Sequence, residues 1–154
     1  MSSVPVATVK IAPSERSQFL HMAQQHFSEL NPSFVPADDW KAHYFEAIQA
    51  NPKYFLRWIL QHGERTGFIL FGIEDHKFLP RQTGVIYELF VAPEFRRRGI
   101  ARAAALQAIT ELWSLGPSKI QIELVDENTG AAAFWKSLHF QKVSERLVLA
   151  RGRP

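Results

Sequence analysis

Apolar residues recur along this chain at two spacings, and the switches between them mark its elements. Val4 to Ile11 alternates weakly between apolar and polar positions, as a strand does. Pro13-Ser14-Glu15 is a helix-start signal. Phe19, Leu20, Ala23, Phe27 and Leu30 then follow helical spacing. "NPSFVPADD" is a loop with two prolines. Asp38 or Asp39 is placed to cap a second helix with Trp40, Tyr44, Phe45 and Ile48 on its apolar side. Asn51-Pro52 ends that helix.

Two strand-like runs follow, Tyr54 to Gln61 and Gly67 to Asp75. The polar, glycine-containing "HGERT" between them suits a hairpin. "HKFLPRQT" is a loop, Gly84 to Val91 is another strand, and Pro93 closes it. A helix is expected from Gly99 to Leu115, with Ala103, Leu106, Ile109 and Trp113 on one stripe. Gly116-Pro117 stops it. Lys119 to Val125 alternates as a strand. "NTGAAAFWKSLHF" is a short helix running into a last strand region, "FQKVSERLVLAR", read as one strand or a hairpin.

The predicted order is β, α, α, β, β, β, α, β, α, β. The segment from Gly84 through the helix to Val125 is a β–α–β unit, which forms a right-handed parallel crossover. The earlier strands read as antiparallel. The expected fold is therefore mixed α/β (α+β), with a mostly antiparallel sheet, one parallel crossover and helices on both faces.

Composition narrows this. A length of 154 residues suits a single domain, 1–154, and 46% hydrophobic residues with 12 Phe and 4 Trp suffice for its core. A net charge of +3 does not by itself call for nucleic acid. The absence of cysteine excludes disulfides and thiolate chemistry and fits a reducing compartment, so a cytoplasmic location is expected. The N-terminus lacks a signal-peptide pattern, and no apolar run approaches 18 residues, so no membrane span is expected.

The chemistry concentrates in "PEFRRRGIARAAAL", Pro93 to Leu106. Peptide dipoles already make a helix N-terminus positive, so three arginines there are misplaced unless an anion joins them. First-turn N–H groups lack intrahelical partners, and a glycine lets a ligand approach the backbone. Neither the dinucleotide fingerprint nor the Walker loop fits this stretch. What fits is R-x-x-G-x-A, with Arg96, Gly99 and Ala101 at the fixed positions.

On these residues the chain resembles the GNAT superfamily of N-acetyltransferases, whose members commonly read "PEYRGKGIGSALL" here. "YELFVAPE" resembles the family's fourth strand, and "ENTGAAAFWKSLHF" resembles its "N-x-x-A-x-x-L-Y-E-K-L-G-F". The match covers residues 84–140 in order and spacing. It implies acetyl-CoA as acyl donor, with the pyrophosphate on backbone N–H groups from Arg97 through Arg98, Gly99, Ile100 and Ala101 to Arg102. It implies pantetheine along Leu89, Phe90 and Val91, where that strand splays from the next with the help of a bulge. Asn128 would shape the following turn and hydrogen-bond pantetheine, or serve as an ordinary N-cap.

The implied activity is transfer of an acetyl group to a primary amine of a small molecule or peptide, by direct attack in a ternary complex. Glu88, in the middle of an apolar strand, is the candidate general base, directly or through water; the other reading is a carboxylate satisfied by an arginine. Glu123 is second, or a charge on a solvated strand face. The N–H of Leu89 or Val91 would stabilise the oxyanion. Trp135 stands where the family often has tyrosine as acid, and indole N–H donates but is not a useful acid. That departure motivates an alternative: an acyl-CoA-binding module with weak or no catalysis. A second departure is His139, where glycine is usual. Tyr87 neighbours Glu88, but adjacent strand residues face opposite sides.

His21 and His26 are five apart, share no helical face, and read as ordinary. There is no H-E-x-x-H and no Cys/His cluster, so no metal is expected. Phe34, Trp40, Tyr44, Phe45 and Phe78, with Asp38, Asp39 and Glu46, are candidates for the acceptor site or, alternatively, core stripe residues. Arg96 to Arg98 form the one compact basic cluster, without interleaved aromatics, so nucleic acid is not expected as a partner. The chain is read as a monomer or homodimer.

Overall fold

The computed structural model describes residues 5–124 and 129–152. Of these, the residues up to Glu123 form one compact unit and those from Leu124 onward a second.

In the first unit, β1 (Ala7–Lys10) leads through a 3₁₀ turn, Pro13–Glu15, into α1 (Arg16–Leu30). The Glu15 side chain accepts from the Ala12 N–H at 2.8 Å, closing that turn. α2 (Asp38–Ala50) is capped by Ala37 rather than by an aspartate. Asp38 and Asp39 sit instead in its first turn, where negative charge favours the helix dipole. β2 (Tyr54–Gln61) and β3 (Glu64–Asp75) form the expected hairpin, and its turn is only two residues long. His62 and Gly63 both take positive φ there, 51° and 79°, which is the geometry a two-residue hairpin requires. β4 (Gln82–Val91), α3 (Ile100–Ser114) and β5 (Ile120–Ile122) complete the unit.

The sheet order is β1-β2-β3-β4-β5, antiparallel except for the parallel pair β4 and β5. This is the predicted mixed sheet with its crossover. Helices cover both faces. Phe19 and Ala23 of α1 and Phe45 and Ile48 of α2 pack on Leu56, Trp58, Phe68, Leu70 and Phe90. Residues of opposite parity face α3, where Arg57 grips Glu111 with two parallel N–H···O bonds of 2.5 and 2.7 Å.

The buried side of α3 differs from the expected stripe. Ile100, Ala103, Ala104, Ala105, Ala108 and Leu112 are buried, whereas Leu106 and Trp113 are exposed. The helix turns its smallest side chains to the sheet, and that lets it lie close.

In the second unit, α4 (Thr129–Ser137) is followed by residues 140–150 without regular structure. The strand or hairpin expected for "FQKVSERLVLAR" is therefore not found. Val143, Leu147, Val148 and Leu149 are exposed. Apolar content alone makes no strand, because a ladder needs a partner, and none pairs with this segment among the described residues.

Candidate active site

The site begins with one extra residue in β4. Pairing with β3 runs Gly72↔Val85 and Phe71↔Ile86, then skips to Leu70↔Glu88, Ile69↔Leu89, Phe68↔Phe90 and Gly67↔Val91. Tyr87 is the unpaired insertion, a β-bulge. A regular strand would set Glu88 on the same face as Ile86, toward α3. The bulge re-aims it to the face of Leu70, toward α1 and α2.

The same bulge corrects the expectation that Tyr87 and Glu88 face opposite sides. The Tyr87 ring meets Tyr54 edge-on at 5.2 Å, its hydroxyl donates to Glu74 at 2.8 Å, and it packs against the α1–α2 core. Both side chains therefore stand on one face. Burial, then the hydrogen bond to Glu74, pushes the Tyr87 phenol well above its ordinary value of 10.0.

Beyond the bulge, β4 loses a neighbour. β5 pairs with it only at Gly84↔Ile120, Val85↔Gln121 and Ile86↔Ile122. Ala92 N–H donates to Thr66 O of β3 at 2.8 Å. Since successive N–H groups of a strand point to alternate sides, those of Leu89 and Val91 point to the side β5 has left. Arg96 Nε donates to the Val91 carbonyl on that side at 2.7 Å. Among the described residues, the Leu89 and Val91 N–H groups on that edge thus have no strand partner, while the Val91 carbonyl accepts from Arg96. Glu123 follows the last residue of β5 and is exposed.

The chain leaves β4 through a 3₁₀ turn, Pro93–Phe95, and enters α3 at Gly99. Arg97 and Gly99 take positive φ, 63° and 77°, and Gly99 is the N-cap residue with no side-chain cap. Gly99 O is already bonded to the Ala103 N–H at 3.1 Å, so the first-turn N–H groups of Ile100, Ala101 and Arg102 point outward with no intrahelical acceptor. The three consecutive arginines separate here. Arg96 is drawn back onto Glu29 of α1, accepted at 2.8 Å by Oε2, and stands 5.6 Å over the Phe90 ring. Arg98 stands 5.6 Å over Phe95 and reaches the Glu94 carbonyl at 3.4 Å. Arg97 and Arg102 are exposed and meet no carboxylate among the described residues. Among the described residues, the charge not paired with a carboxylate is therefore that of Arg97, Arg98 and Arg102, with Arg96 serving the fold.

Glu88 is satisfied by a histidine, not by an arginine. Its Oε2 lies 2.5 Å from His26 Nε2 of α1, with the two side chains 21% and 9% accessible. The imidazole sits among Phe27, Phe68 and Phe90, ring centroids 5.2, 5.7 and 5.5 Å away. His26 reads as ordinary in the sequence, yet it falls seven residues after Phe19 and three after Ala23, on the buried stripe of α1. That position was the available signal.

Tyr44 links the carboxylate to the aromatic residues around α2. Burial, and next the negative charge of Glu88, pushes its phenol well above 10.0. Tyr44 stacks on Trp40 at 5.1 Å, and Trp40 meets Phe34 at 5.6 Å. The other acceptor candidates divide differently. Phe45 is buried in the core, Glu46 is paired with Arg16 at 2.7 Å, and Phe78 is exposed.

Asn128 lies outside the described residues. Trp135, in the second unit, is half-buried and meets Phe134 and Phe140 edge-on at 4.9 and 5.3 Å. His139 takes a positive φ of 72°, which explains why glycine suits that position.

The sequence model of the acetyltransferase (GNAT) family matches residues 19–140. An uncharacterized N-acetyltransferase of Methanocaldococcus jannaschii is 27% identical over 132 residues, covering 68% of this chain and 56% of that protein. The chain thus spans little more than half the length of that relative. Among solved structures, a transcriptional regulator from Bacillus halodurans C-125 superposes with a TM-score of 0.78 at 17% identity, over 95% of this chain and 99% of that one. A ribosomal-protein-alanine N-acetyltransferase from Brucella melitensis superposes with a TM-score of 0.72 at 12% identity, over 95% and 99%. At these identities the superpositions carry the fold alone.

Proposed function

The chain belongs to the acetyltransferase (GNAT) family, and from that premise we propose that it is a single-domain, acetyl-CoA-dependent N-acetyltransferase acting on a primary amine of a small molecule or peptide. The observation that supports this best is the combination at β4: an edge open at Leu89 and Val91, and beyond it a helix start with unspent N–H groups.

The residues present suit acetyl-CoA. The N–H groups of Ile100, Ala101 and Arg102, with the side chains of Arg97 and Arg102, take the pyrophosphate. The N–H groups of Leu89 and Val91 offer hydrogen bonds to an extended amide chain, as an added strand would receive. The family resemblance names Asn128 and Trp135 as further candidates for holding acetyl-CoA. A bound acetyl-CoA supplies an activated acyl carbon.

The acceptor approaches from the α1–α2 face, where Glu88 takes one proton from its ammonium group. Such an amine has a pKa of about 10.4 and must be deprotonated to attack. The nitrogen bonds to the acetyl carbonyl carbon, the carbon–sulfur bond breaks, and the second nitrogen proton leaves on the thiol. A backbone N–H of Leu89 or Val91 steadies the oxyanion. Glu123 is the second candidate for the base. The reaction runs without a metal, in the cytoplasm, in a monomer or homodimer.

Trp135 in place of the family's tyrosine favours one other reading, a module that binds acyl-CoA and turns over weakly or not at all. A thiol of pKa about 8.5 leaves tolerably as thiolate, so the missing phenol slows the reaction without forbidding it. Melting curves with acetyl-CoA, and thiol release across a panel of amines, separate the readings. The enzyme gains melting temperature with acetyl-CoA and releases thiol only with its amine. A binding module gains melting temperature without release. No shift with any acyl-CoA at millimolar concentration overturns both.

A further inference from the structure

A carboxylate has only acceptor sites, so the proton in the 2.5 Å contact between His26 and an ionised Glu88 rides on Nε2. That fixes the tautomer and leaves one Glu88 oxygen anchored. Among the described residues, the other oxygen, Oε1, has no hydrogen-bond partner, and the side chain remains 21% accessible. The imidazole itself has little freedom, wedged among three phenylalanine rings on α1, β3 and β4. A pocket so apolar suits a leucine or phenylalanine better, because burying an imidazole has a desolvation cost that only a strong partner offsets. The charged groups around the pair are already balanced: Arg96 over Phe90 is held by Glu29, and Tyr44 is a neutral phenol.

We propose that His26 is a positioning residue for acetyl transfer, donating Nε2–H to Oε2 of Glu88 so that Oε1 is presented to the acceptor's ammonium group. This rests on the acetyltransferase reading of the same site. The carboxylate stands just past the bulge, where, among the described residues, no strand on the β5 side constrains it. A donor on α1 supplies the missing constraint from the opposite direction. A displacement of about 1 Å at such a base costs about 10²-fold in rate.

Three variants and one spectroscopic measurement test this. His26→Phe fills the ring pocket without donating, His26→Met does the same with a flexible side chain, and His26→Gln keeps an amide N–H near the Nε2 position. The donor-free variants should lose about 10²-fold in kcat, with KM for acetyl-CoA changed less than about twofold, and His26→Gln should recover most of the loss. A side chain that merely fills the core would give the opposite order, with His26→Gln the worst. Independently of any acceptor, proton NMR of the wild type should show a strongly deshielded imidazole N–H that vanishes in His26→Gln and also in Glu88→Ala. Wild-type kcat in a folded donor-free variant, or an N–H signal untouched by Glu88→Ala, overturns the role of His26 alone. A wild type that binds no acyl-CoA overturns the site reading instead, whatever the NMR coupling reports.

Discussion

The two halves of β4 are built on different terms. From Gln82 to Ile86 the strand lies between β3 and β5, and Gly84, Val85 and Ile86 are buried. From Glu88 to Val91, among the described residues, it pairs with β3 alone. The first half is ordinary sheet interior. The second keeps an unpaired backbone edge and a carboxylate, both of which an interior strand would forbid. One inserted residue, Tyr87, separates the two: it reverses the parity of the side chains that follow and coincides with the departure of β5. A strand can thus hold a fold together along one segment and present a carboxylate and an unpaired edge along the next, with the change costing a single residue.

The largest effect that would break this comparison is at Gly67, opposite Val91. A Cβ there would sit 1.8 Å from the Phe90 carbonyl oxygen, on backbone that cannot step aside. Gly67→Ala should destabilise the chain by about 3 kcal/mol or more and abolish any acetyl-CoA-induced melting shift. Gly84→Ala, in the other half, meets a side-chain atom, Ile120 Cγ1, at 3.1 Å. That neighbour can yield, and the cost should stay near 1 kcal/mol by denaturant titration. Equal losses at the two glycines would refute the asymmetry.

Next in size is Glu88→Gln, which should lower kcat by about 10²–10⁴-fold while leaving acetyl-CoA affinity intact by calorimetry. Unchanged turnover removes Glu88 from the chemistry. A smaller effect is expected beyond the strand's end. Arg97→Ala with Arg102→Ala should raise KM for acetyl-CoA about tenfold without altering kcat, as loss of uniform binding does. Arg96→Ala should instead lower melting temperature, because its partners are Glu29 and the Val91 carbonyl.

The smallest effect concerns Tyr87 and pH. Its folded-state pKa is raised, chiefly by burial, above the unfolded 10.0. The neutral phenol therefore favours the native state fully below pH 10, and that contribution is lost as pH rises, because the unfolded chain gives up its proton first. Melting temperature should fall more steeply from pH 10 upward in the wild type than in Tyr87→Phe. Parallel slopes would show that the hydroxyl is not confined as described.

Much of this was legible in the sequence, for physical reasons. The β2 boundaries, the hairpin, the end of β4 at Pro93 and the glycine at the start of α3 carry strong local signals. Turn residues and proline act on their own backbone, so they show without a structure. The bulge was implied by the family resemblance, but its position at Tyr87 does not show in the residues, because an extra residue in a ladder is defined by its partner strand. Alternation therefore misassigned Tyr87 relative to Glu88. His26 was missed because the stripe was traced through large apolar residues, although its position in the stripe was correct. The misjudged face of α3 has a similar origin: Leu106 and Trp113 weigh more on a hydrophobicity scale than Ala104 and Ala108, but the sheet accepts the small residues. The C-terminal segment has apolar residues in strand-like number, and what it lacks is a partner.

The alanine floor of α3 has one more consequence. With Ala104 and Ala105 wholly buried, the gap between helix and sheet is set by methyl groups, and Arg57 locks the far end of the helix through Glu111. The helix is thus held near its end by that pair and at its start by the buried Ile100, just past Gly99 and the turn before it. Each carbon added to that floor would push the helix off the sheet and shift the turn relative to the edge of β4, although neither alanine lies within the turn itself. Spacing in this protein is thus recorded in its least conspicuous residues, and tuning them would change the reach between the two parts of the proposed donor site without altering a single group in either.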